Sequence, residues 1–179
     1  IFTFAPANGS TAVASKSNIS ITFNKSVRNI DDSALSETNV DGLITLKNID
    51  ANGADIAFDA TINEGKTEIT INPSIDFSSE QIVYVAISSG LEDGVNRAIA
   101  STNATFTVAD IITPIVSFNP ANGSQDIAAN RNITLTFSEA IRNIDNSEIT
   151  DSNVDGLISL KSTNASGGDF NFTATINTE

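Results

Sequence analysis

The stretch ISITFNKSVRNID at residues 19–31 decides the fold, because it has a clear alternating pattern and occurs a second time, as ITLTFSEAIRNID, at residues 133–145. Its first five residues alternate apolar and polar side chains. A period of two predicts a β-strand with one buried face. The apolar side chains assigned to that face are Ile19, Ile21 and Phe23.

The repetition extends well beyond this stretch. Residues 4–65 return without a gap as residues 118–179, at a constant shift of 114 positions, and 32 of the 62 aligned positions are identical. Such self-similarity predicts one folding unit used in tandem. We expect a first repeat at residues 1–110, a short linker at residues 111–114, and the first half of a second repeat at residues 115–179, without its C-terminal strands.

The composition of the linker favours a stiff joint. Ile111, Ile112 and Pro114 stand where a free tether would carry Gly and Ser. We expect the two isoleucines to pack where the repeats meet. Neighbouring repeats of the same chain are therefore the first predicted partners.

Composition and charge exclude several classes of function. The 179 residues contain no His, Cys, Met or Trp, which removes imidazole and thiolate catalysis and metal ligation by these groups. The formal net charge of −13 disfavours nucleic acid and anionic lipid, whose binding needs clustered Lys and Arg. No apolar run reaches the length of a membrane span, so we expect no membrane insertion in this segment.

Short alternating segments, separated by clusters of Asn, Gly, Asp and Ser, run through the first repeat and predict an all-β fold, an antiparallel β-sandwich. Residues 82–87 are apolar on both faces, as in a central strand. Residues 28–40 break the pattern, and we expect a helical turn there with a capping group at residues 31–33. The strands are predicted near Phe2, Ile19, Leu43, Phe58, Ile69, Val85 and Phe106.

Three segments carry a family resemblance. PANGS at residues 6–10, ISITFNKSV at residues 19–27, and YVAIS followed by GLED at residues 84–93 resemble bacterial Ig-like domains of the S-layer protein type. The resemblance covers the first repeat and the first half of the second. It implies tandem immunoglobulin-like antiparallel β-sandwiches of about seven strands, the second one incomplete. It also implies an extracellular or cell-surface module with no activity of its own.

One loop imitates the oxygen ladder of an EF-hand calcium loop, with Asn48, Asp50 and Asn52 followed by Asp59 at the twelfth position. The second repeat does not keep these charges. We favour a polar hairpin loop in which Asn52 and Gly53 supply positive φ.

Carboxylates that both repeats keep are better calcium candidates, and they lie on either side of the predicted helical turn. A structural alternative assigns them to helix caps, turns or an ion pair with Arg28. No cofactor is expected unless calcium binds. The candidates are Asp31, Asp41, Asp145 and Asp155.

The second repeat presents a different problem, because its inner face lacks strands to cover it. We expect Ile133, Leu135, Phe137 and Phe172 to be exposed unless something covers them. One hypothesis is that completing residues exist in the parent protein. The other is strand donation or dimerisation with a neighbouring chain.

These observations predict a non-catalytic structural repeat of a bacterial cell-surface or secreted protein, acting as a stalk or spacer. Glycosidase chemistry would need paired carboxylates in a cleft with sugar-stacking aromatics, and Tyr84 is the only tyrosine. The first alternative is an adhesin module that binds a surface ligand by avidity and is rigidified by calcium. The weaker alternative is an accessory domain of a secreted hydrolase.

Overall fold

The computed structural model describes residues 2–177 and separates the chain into two compact units, Ile1–Ile112 and Thr113–Glu179. Strands and turns make up both units, with one short 3-10 helix in each, Asp41–Leu43 and Val154–Leu157. Within the described range, no helix has the length and apolar composition that a bilayer crossing requires.

Residues 2–112 contain ten strands in two four-stranded sheets and one two-stranded ribbon. The sheets have the orders β1-β3-β7-β6 and β2-β10-β8-β5, and β4 pairs with β9. The predicted all-β sandwich is confirmed, and so are its seven strands. Three further short strands, β2, β4 and β9, were not predicted. The strands are β1 (Phe2–Ala5), β2 (Ser10–Val13), β3 (Ile19–Phe23), β4 (Val27–Asn29), β5 (Ile44–Asn48), β6 (Phe58–Ile62), β7 (Glu68–Pro73), β8 (Ile82–Ile87), β9 (Leu91–Asp93) and β10 (Thr102–Val108).

The core of the first unit lies between the two sheets and follows the alternating pattern of the sequence. Ile19 and Ile21 on β3 are fully buried, whereas Thr22 between Ile21 and Phe23 is exposed. Each fully buried aliphatic or aromatic side chain contributes roughly 1.5–3 kcal/mol relative to an exposed one. Phe77 and Phe106 meet edge to face, with ring centroids 5.7 Å apart.

Strand β8 occupies the interior position that its apolar sequence predicts, between β10 and β5. Val83, Val85 and Ile87 are buried on its core face. Tyr84 and Ala86 lie on the opposite face and are half-buried. The strand is therefore central in its sheet, although only one of its faces is fully enclosed.

The helical turn predicted within residues 28–40 is confirmed only at its end, where the Val40 amide donates to the Ser36 carbonyl at 3.0 Å, and the predicted capping group at residues 31–33 is wrong. The Asp31 carboxylate accepts hydrogen bonds from the amide and the hydroxyl of Ser33, and this closes a tight turn instead of starting a helix. Asp32 then adopts a φ of 66°, a left-handed conformation that a right-handed helix cannot continue. The apolar residues Leu35 and Val40 are nevertheless buried, and the 3-10 helix begins directly after them.

Among residues 113–177 there is one pairing of assigned strands. Strands β11 (Val116–Asn119) and β12 (Thr134–Phe137) pair antiparallel, as β1 and β3 do in the first unit. Residues 158–162 and 172–176, the counterparts of β5 and β6, form no assigned strands. In the first unit, β5 pairs with β8 and β6 with β7. Neither pairing has a counterpart among residues 113–177.

The apolar residues of the second unit are correspondingly uncovered. Ile133 is 52% exposed, whereas its counterpart Ile19 is 0% exposed. Leu135, Phe137 and Phe172 are half-buried, so the predicted opening of the inner face is observed most clearly at Ile133. A local part of the core persists, because Ile149 and Val154 remain buried.

The loop between β5 and β6 has the same backbone geometry in both units, but it differs from the predicted one. Positive φ falls on Ile49 and Thr163, at 67° and 65°, and not on Asn52 or Gly53. Gly53 is required for a different reason: a Cβ atom there would lie 1.6 Å from the carbonyl oxygen of Asn48. Gly167 is in the same situation against Ser162.

We expect Gly53→Ala to destabilise the first unit by roughly 2 kcal/mol or more, because the added methyl group collides with backbone that cannot move independently. Gly42→Ala is the matched control, since no atom lies within 4 Å of its added Cβ. The measurement is urea-induced unfolding of the full chain carrying each substitution. Equal losses for the two variants would contradict this account of Gly53.

Candidate functional site

Asp31 and Asp145 occupy equivalent turns and make the same contacts. In each turn one carboxylate oxygen accepts an amide hydrogen bond of 3.0 Å and a hydroxyl hydrogen bond of 2.6 Å from the serine two residues on. The hydroxyl bond and then the amide bond of Ser33 lower the pKa of Asp31, and Ser147 lowers the pKa of Asp145 in the same way. These carboxylates stabilise their own turns.

Asp41 and Asp155 hold the edge of a strand segment. The Asp41 carboxylate accepts the amide hydrogen of Ala60 on β6 at 2.9 Å, and the Asp155 carboxylate accepts that of Ala174 at 2.6 Å. Among residues 2–177, strand β6 has only β7 as a strand neighbour, so its other side is a sheet edge. An open edge invites pairing with other chains, and a carboxylate on its amides blocks that pairing.

The structure does not bring the four calcium candidates into one ligand set. Asp31 is engaged by Ser33, and Asp41 by Ala60, on separate elements. Among residues 2–177 no group of three or more His, Cys, Asp or Glu side chains is arranged to hold a metal ion. Their retention in both repeats is explained by the turn and the strand edge that they support.

The polar groups of the EF-hand-like loop are bound by other groups of the protein. The Lys47 ammonium lies 3.2 Å from the carbonyl oxygen of Gly53 and 2.6 Å from a carboxylate oxygen of Asp55. Asp50 accepts the amide hydrogen of Asn52 at 2.7 Å. The Asn48 side-chain oxygen accepts a hydrogen bond from the Gln81 side chain, so two residues of the predicted ladder, Asn48 and Asp50, already accept protein donors. The two oxygen atoms that contact Lys47 lie outside that ladder. Lys161 and Asp169 repeat this ion pair in the second unit.

An ion cluster that sequence reasoning missed joins β4 to β9. Arg28 donates to the Glu92 carboxylate at 2.9 Å, contacts Asp32 at 2.5 Å and donates to Asn96 at 2.9 Å. The Glu92 side chain is only 7% exposed, so the guanidinium neutralises a charge that has left water. The only sign of this cluster in the sequence is that Arg28 recurs as Arg142. Its partner Glu92 could not be identified from the sequence, because it lies 64 positions away.

A second acidic residue of β9 supports the following turn. Asp93 accepts the amide hydrogens of Val95 and Arg97, and its other carboxylate oxygen lies 3.6 Å from the Lys25 ammonium. The Val95 amide has the largest effect in lowering the pKa of Asp93, and the Arg97 amide and Lys25 add to it. The Asp93 carboxylate is held in its ionised form and already accepts hydrogen bonds from the turn. It therefore acts as a structural acceptor and is poorly suited to proton transfer.

The comparison with protein families gives one match that accounts for nearly the whole chain. A family model described as a bacterial Ig-like domain matches residues 1–108 and again residues 110–178. A search of curated proteins found no match.

Solved structures with detectable similarity share little sequence with the chain. Domains 1–6 of the surface layer protein SbsC show 17% identity over 62% of this chain, with a TM-score of 0.41. The copper resistance protein PcoC from Escherichia coli shows 14% identity over 59%, with a TM-score of 0.40. CopC from Methylosinus trichosporium OB3b shows 12% identity over 62%, with a TM-score of 0.41. The matched region spans 14% of the SbsC chain, 95% of PcoC and 92% of CopC.

We expect Asp41→Ala to destabilise the first unit by about 1–2 kcal/mol, because the Ala60 amide at the edge of β6 loses a charged acceptor. Asp41→Asn keeps an oxygen at the same place and should recover much of that loss. Chemical denaturation of both variants, together with light scattering for self-association, provides the test. If Asn were as damaging as Ala, the carboxylate would not act as an acceptor at the strand edge.

We further expect millimolar calcium to leave the thermal unfolding midpoint of the full chain within about 1 °C of its value in chelator. The reason is that the candidate carboxylates Asp31 and Asp41 already accept protein donors, as do Asn48 and Asp50 in the EF-hand-like loop. Magnesium at the same concentration is the control for ionic strength. A rise of several degrees that chelator reverses would instead assign a native-state calcium site to these acids.

Proposed function

Because this chain belongs to the bacterial Ig-like domain family, we propose that it serves as a non-catalytic stalk or spacer of an extracellular or cell-surface protein. In this role it holds another region of the parent protein at a distance. The requirement on each unit is mechanical: it must resist tension applied along the chain without opening.

The pairing of the first and last parts of the first unit carries this proposal. Strand β10 lies parallel to β2, with Phe106 opposite Ser10 and Val108 opposite Val13. Tension along the chain pulls β2 toward its N-terminal end and β10 toward its C-terminal end. Since the strands are parallel, these forces act in opposite directions along a common axis. The hydrogen bonds between them are then loaded in shear and must fail together.

Specific hydrogen bonds close this contact, which we call the terminal clamp: residues 8–13 against residues 105–109. The Gly9 amide donates to the Thr105 carbonyl at 2.7 Å, and the Ala109 amide donates to the Val13 carbonyl at 2.8 Å. The Asn8 side chain accepts the Thr105 amide hydrogen at 2.9 Å. A backbone ladder and a side-chain bond thus anchor the two ends of the unit to each other.

Composition and surface support the same role. The chain lacks the His and Cys groups on which much hydrolytic and redox chemistry depends, and Tyr84 is half-buried on β8. A net charge of −13 favours solubility and mutual repulsion between neighbouring molecules. The extracellular or cell-surface placement rests on the resemblance to Ig-like domains of the S-layer type.

Single-molecule force spectroscopy tests the proposal in two pulling directions. Tethers at Phe2 and Ile112 load the terminal clamp in shear. Tethers at Asn52 and Ile112 pull the strands of the sheet apart from one end and do not load the terminal clamp in shear. The reason is that Asn48 and Thr107 flank the same end of β8. We expect a higher unfolding force in the first geometry. Equal forces in both geometries would contradict a load-bearing role for the clamp.

A pair of variants separates mechanical from thermodynamic stability. Asn8→Ala removes one clamp bond, at an expected cost of about 1 kcal/mol. Asn63→Ala removes a comparable acceptor in the turn between β6 and β7, where it receives the Thr67 amide at 2.8 Å. We expect both to lower equilibrium stability, but only Asn8→Ala to lower the unfolding force through the termini.

A further inference from the structure

The pentapeptide PANGS occurs in both units, at residues 6–10 and 120–124. Each copy contains an asparagine followed by a glycine, Asn8–Gly9 and Asn122–Gly123. These four residues are exposed to solvent, and the two glycines have the same backbone conformation, with φ values of 80° and 81°. Sequence, exposure and local backbone are therefore matched between the two pairs.

An asparagine followed by glycine is prone to deamidation, because glycine has no side chain to hinder ring closure. The glycine nitrogen attacks the side-chain amide carbon of the asparagine, and a succinimide ring forms. The carbon–nitrogen bond of the carboxamide breaks, and its nitrogen leaves as ammonia with the proton of the glycine amide. Water then opens the ring at either carbonyl, which gives aspartate or isoaspartate and restores the amide hydrogen.

In the first unit, one residue of β10 holds both reacting groups. The Gly9 amide donates to the Thr105 carbonyl at 2.7 Å, and the Asn8 side-chain oxygen accepts the Thr105 amide hydrogen at 2.9 Å. The Thr105 hydroxyl lies 3.4 Å from the same Asn8 oxygen. A hydrogen-bonded amide gives up its proton only from a locally opened state. The ring therefore cannot close while this part of the terminal clamp is intact.

The equivalent pair in the second unit lacks this restraint. Within residues 113–177 no hydrogen bond engages the Asn122 side chain or the Gly123 amide. The local turn is nevertheless kept, since its closing amide–carbonyl hydrogen bond measures 3.0 Å in the first unit and 3.1 Å in the second. The contact with Thr105 is thus the feature that distinguishes Asn8–Gly9 from Asn122–Gly123.

We propose that Asn8–Gly9 is a deamidation site that the terminal clamp keeps unreactive, and that opening of the clamp allows Asn8 to convert irreversibly to isoaspartate or aspartate. Isoaspartate adds a methylene group to the main chain before Gly9. The Gly9 amide and the side-chain oxygen of residue 8 then no longer face Thr105 together. The unit thereby keeps a covalent record of having been opened. Its accumulation under tension rests on the stalk function proposed above, whereas the protection of Asn8 does not.

Peptide mapping by mass spectrometry tests the protection. The full chain is incubated in mildly alkaline buffer, and Asn122 in the same molecule calibrates the reactivity of an unrestrained pair. We expect Asn8 to deamidate about tenfold more slowly than Asn122, or more slowly still. In concentrated urea the two rates should be equal, because the same residues surround both pairs once the chain is unfolded.

A pair of variants tests whether the clamp is responsible. Ala109→Pro removes the amide that donates to the Val13 carbonyl at 2.8 Å, and it changes neither Asn-Gly pair. We expect it to raise the rate at Asn8 several-fold and to leave Asn122 unchanged. Asn63→Ala is the matched control, because it removes an acceptor outside the clamp, in the turn between β6 and β7. It should leave both rates as they are in the parent chain.

Single-molecule pulling through Phe2 and Ile112 tests the mechanical consequence. Chains that have been aged in urea and refolded should unfold at a lower force than fresh chains. Asn8→Gln is the control, because it undergoes the same ageing at Asn52 and Asn122 but lacks the reactive asparagine of the clamp. We expect ageing to leave the unfolding force of this variant unchanged.

Any of three results would overturn the proposal. The first is equal deamidation of Asn8 and Asn122 in the folded chain. The second is an Asn8 rate that Ala109→Pro leaves unchanged or that Asn63→Ala raises equally, since the clamp would then not control the reaction. The third is an unfolding force that conversion of Asn8 does not lower. The stalk function is tested separately by the two pulling geometries, so either proposal can fail alone.

Discussion

Pairing between the two halves of a unit is the constraint on which the remaining structure depends. Strands β3 and β5 come from the first half, and their neighbours β7 and β8 come from the second. Where both halves are present, alternating side chains are buried and the sandwich closes. In the second unit, residues 158–162 keep the sequence pattern of β5 but form no strand. The alternation of apolar and polar residues determines which face of a strand is buried. Whether the segment forms a strand depends on a neighbouring strand with which it can pair.

This dependence explains which parts of the fold the sequence predicted. The five- and six-residue strands β3, β6 and β7 have a periodicity that can be read locally, and their buried faces follow it. The short strands β2, β4 and β9 have no comparable pattern, since distant partners alone define them. The expected helical turn is limited to residues 36–40, and its predicted cap failed because a side-chain hydrogen bond and a left-handed residue compete with helix at residues 31–33. Neither feature is visible in apolar spacing.

In the candidate site, the sequence identified important residues but not the contacts that they make. Repetition singled out Asp31 and Asp41 as important, yet it did not distinguish metal ligands from structural acceptors. The contact of Asp31 with Ser33 is local enough to anticipate. The partner of Asp41 lies 19 positions away, and that of Arg28 lies 64 positions away. A comparison of the two repeats shows which residues are kept. The structure is needed to show what those residues contact.

The order of the strands also has a consequence for synthesis on the ribosome. The first unit needs β10 to close against β2, so it is complete only after residue 108 has emerged. Residues 118–179, whose inner surface resembles that of the first half, are translated later. Tandem repeats of similar sequence are prone to misassembly between neighbours. Here residues 66–110 meet the first half of their own unit before the competing residues 118–179 are synthesised, so the order of translation favours the correct pairing.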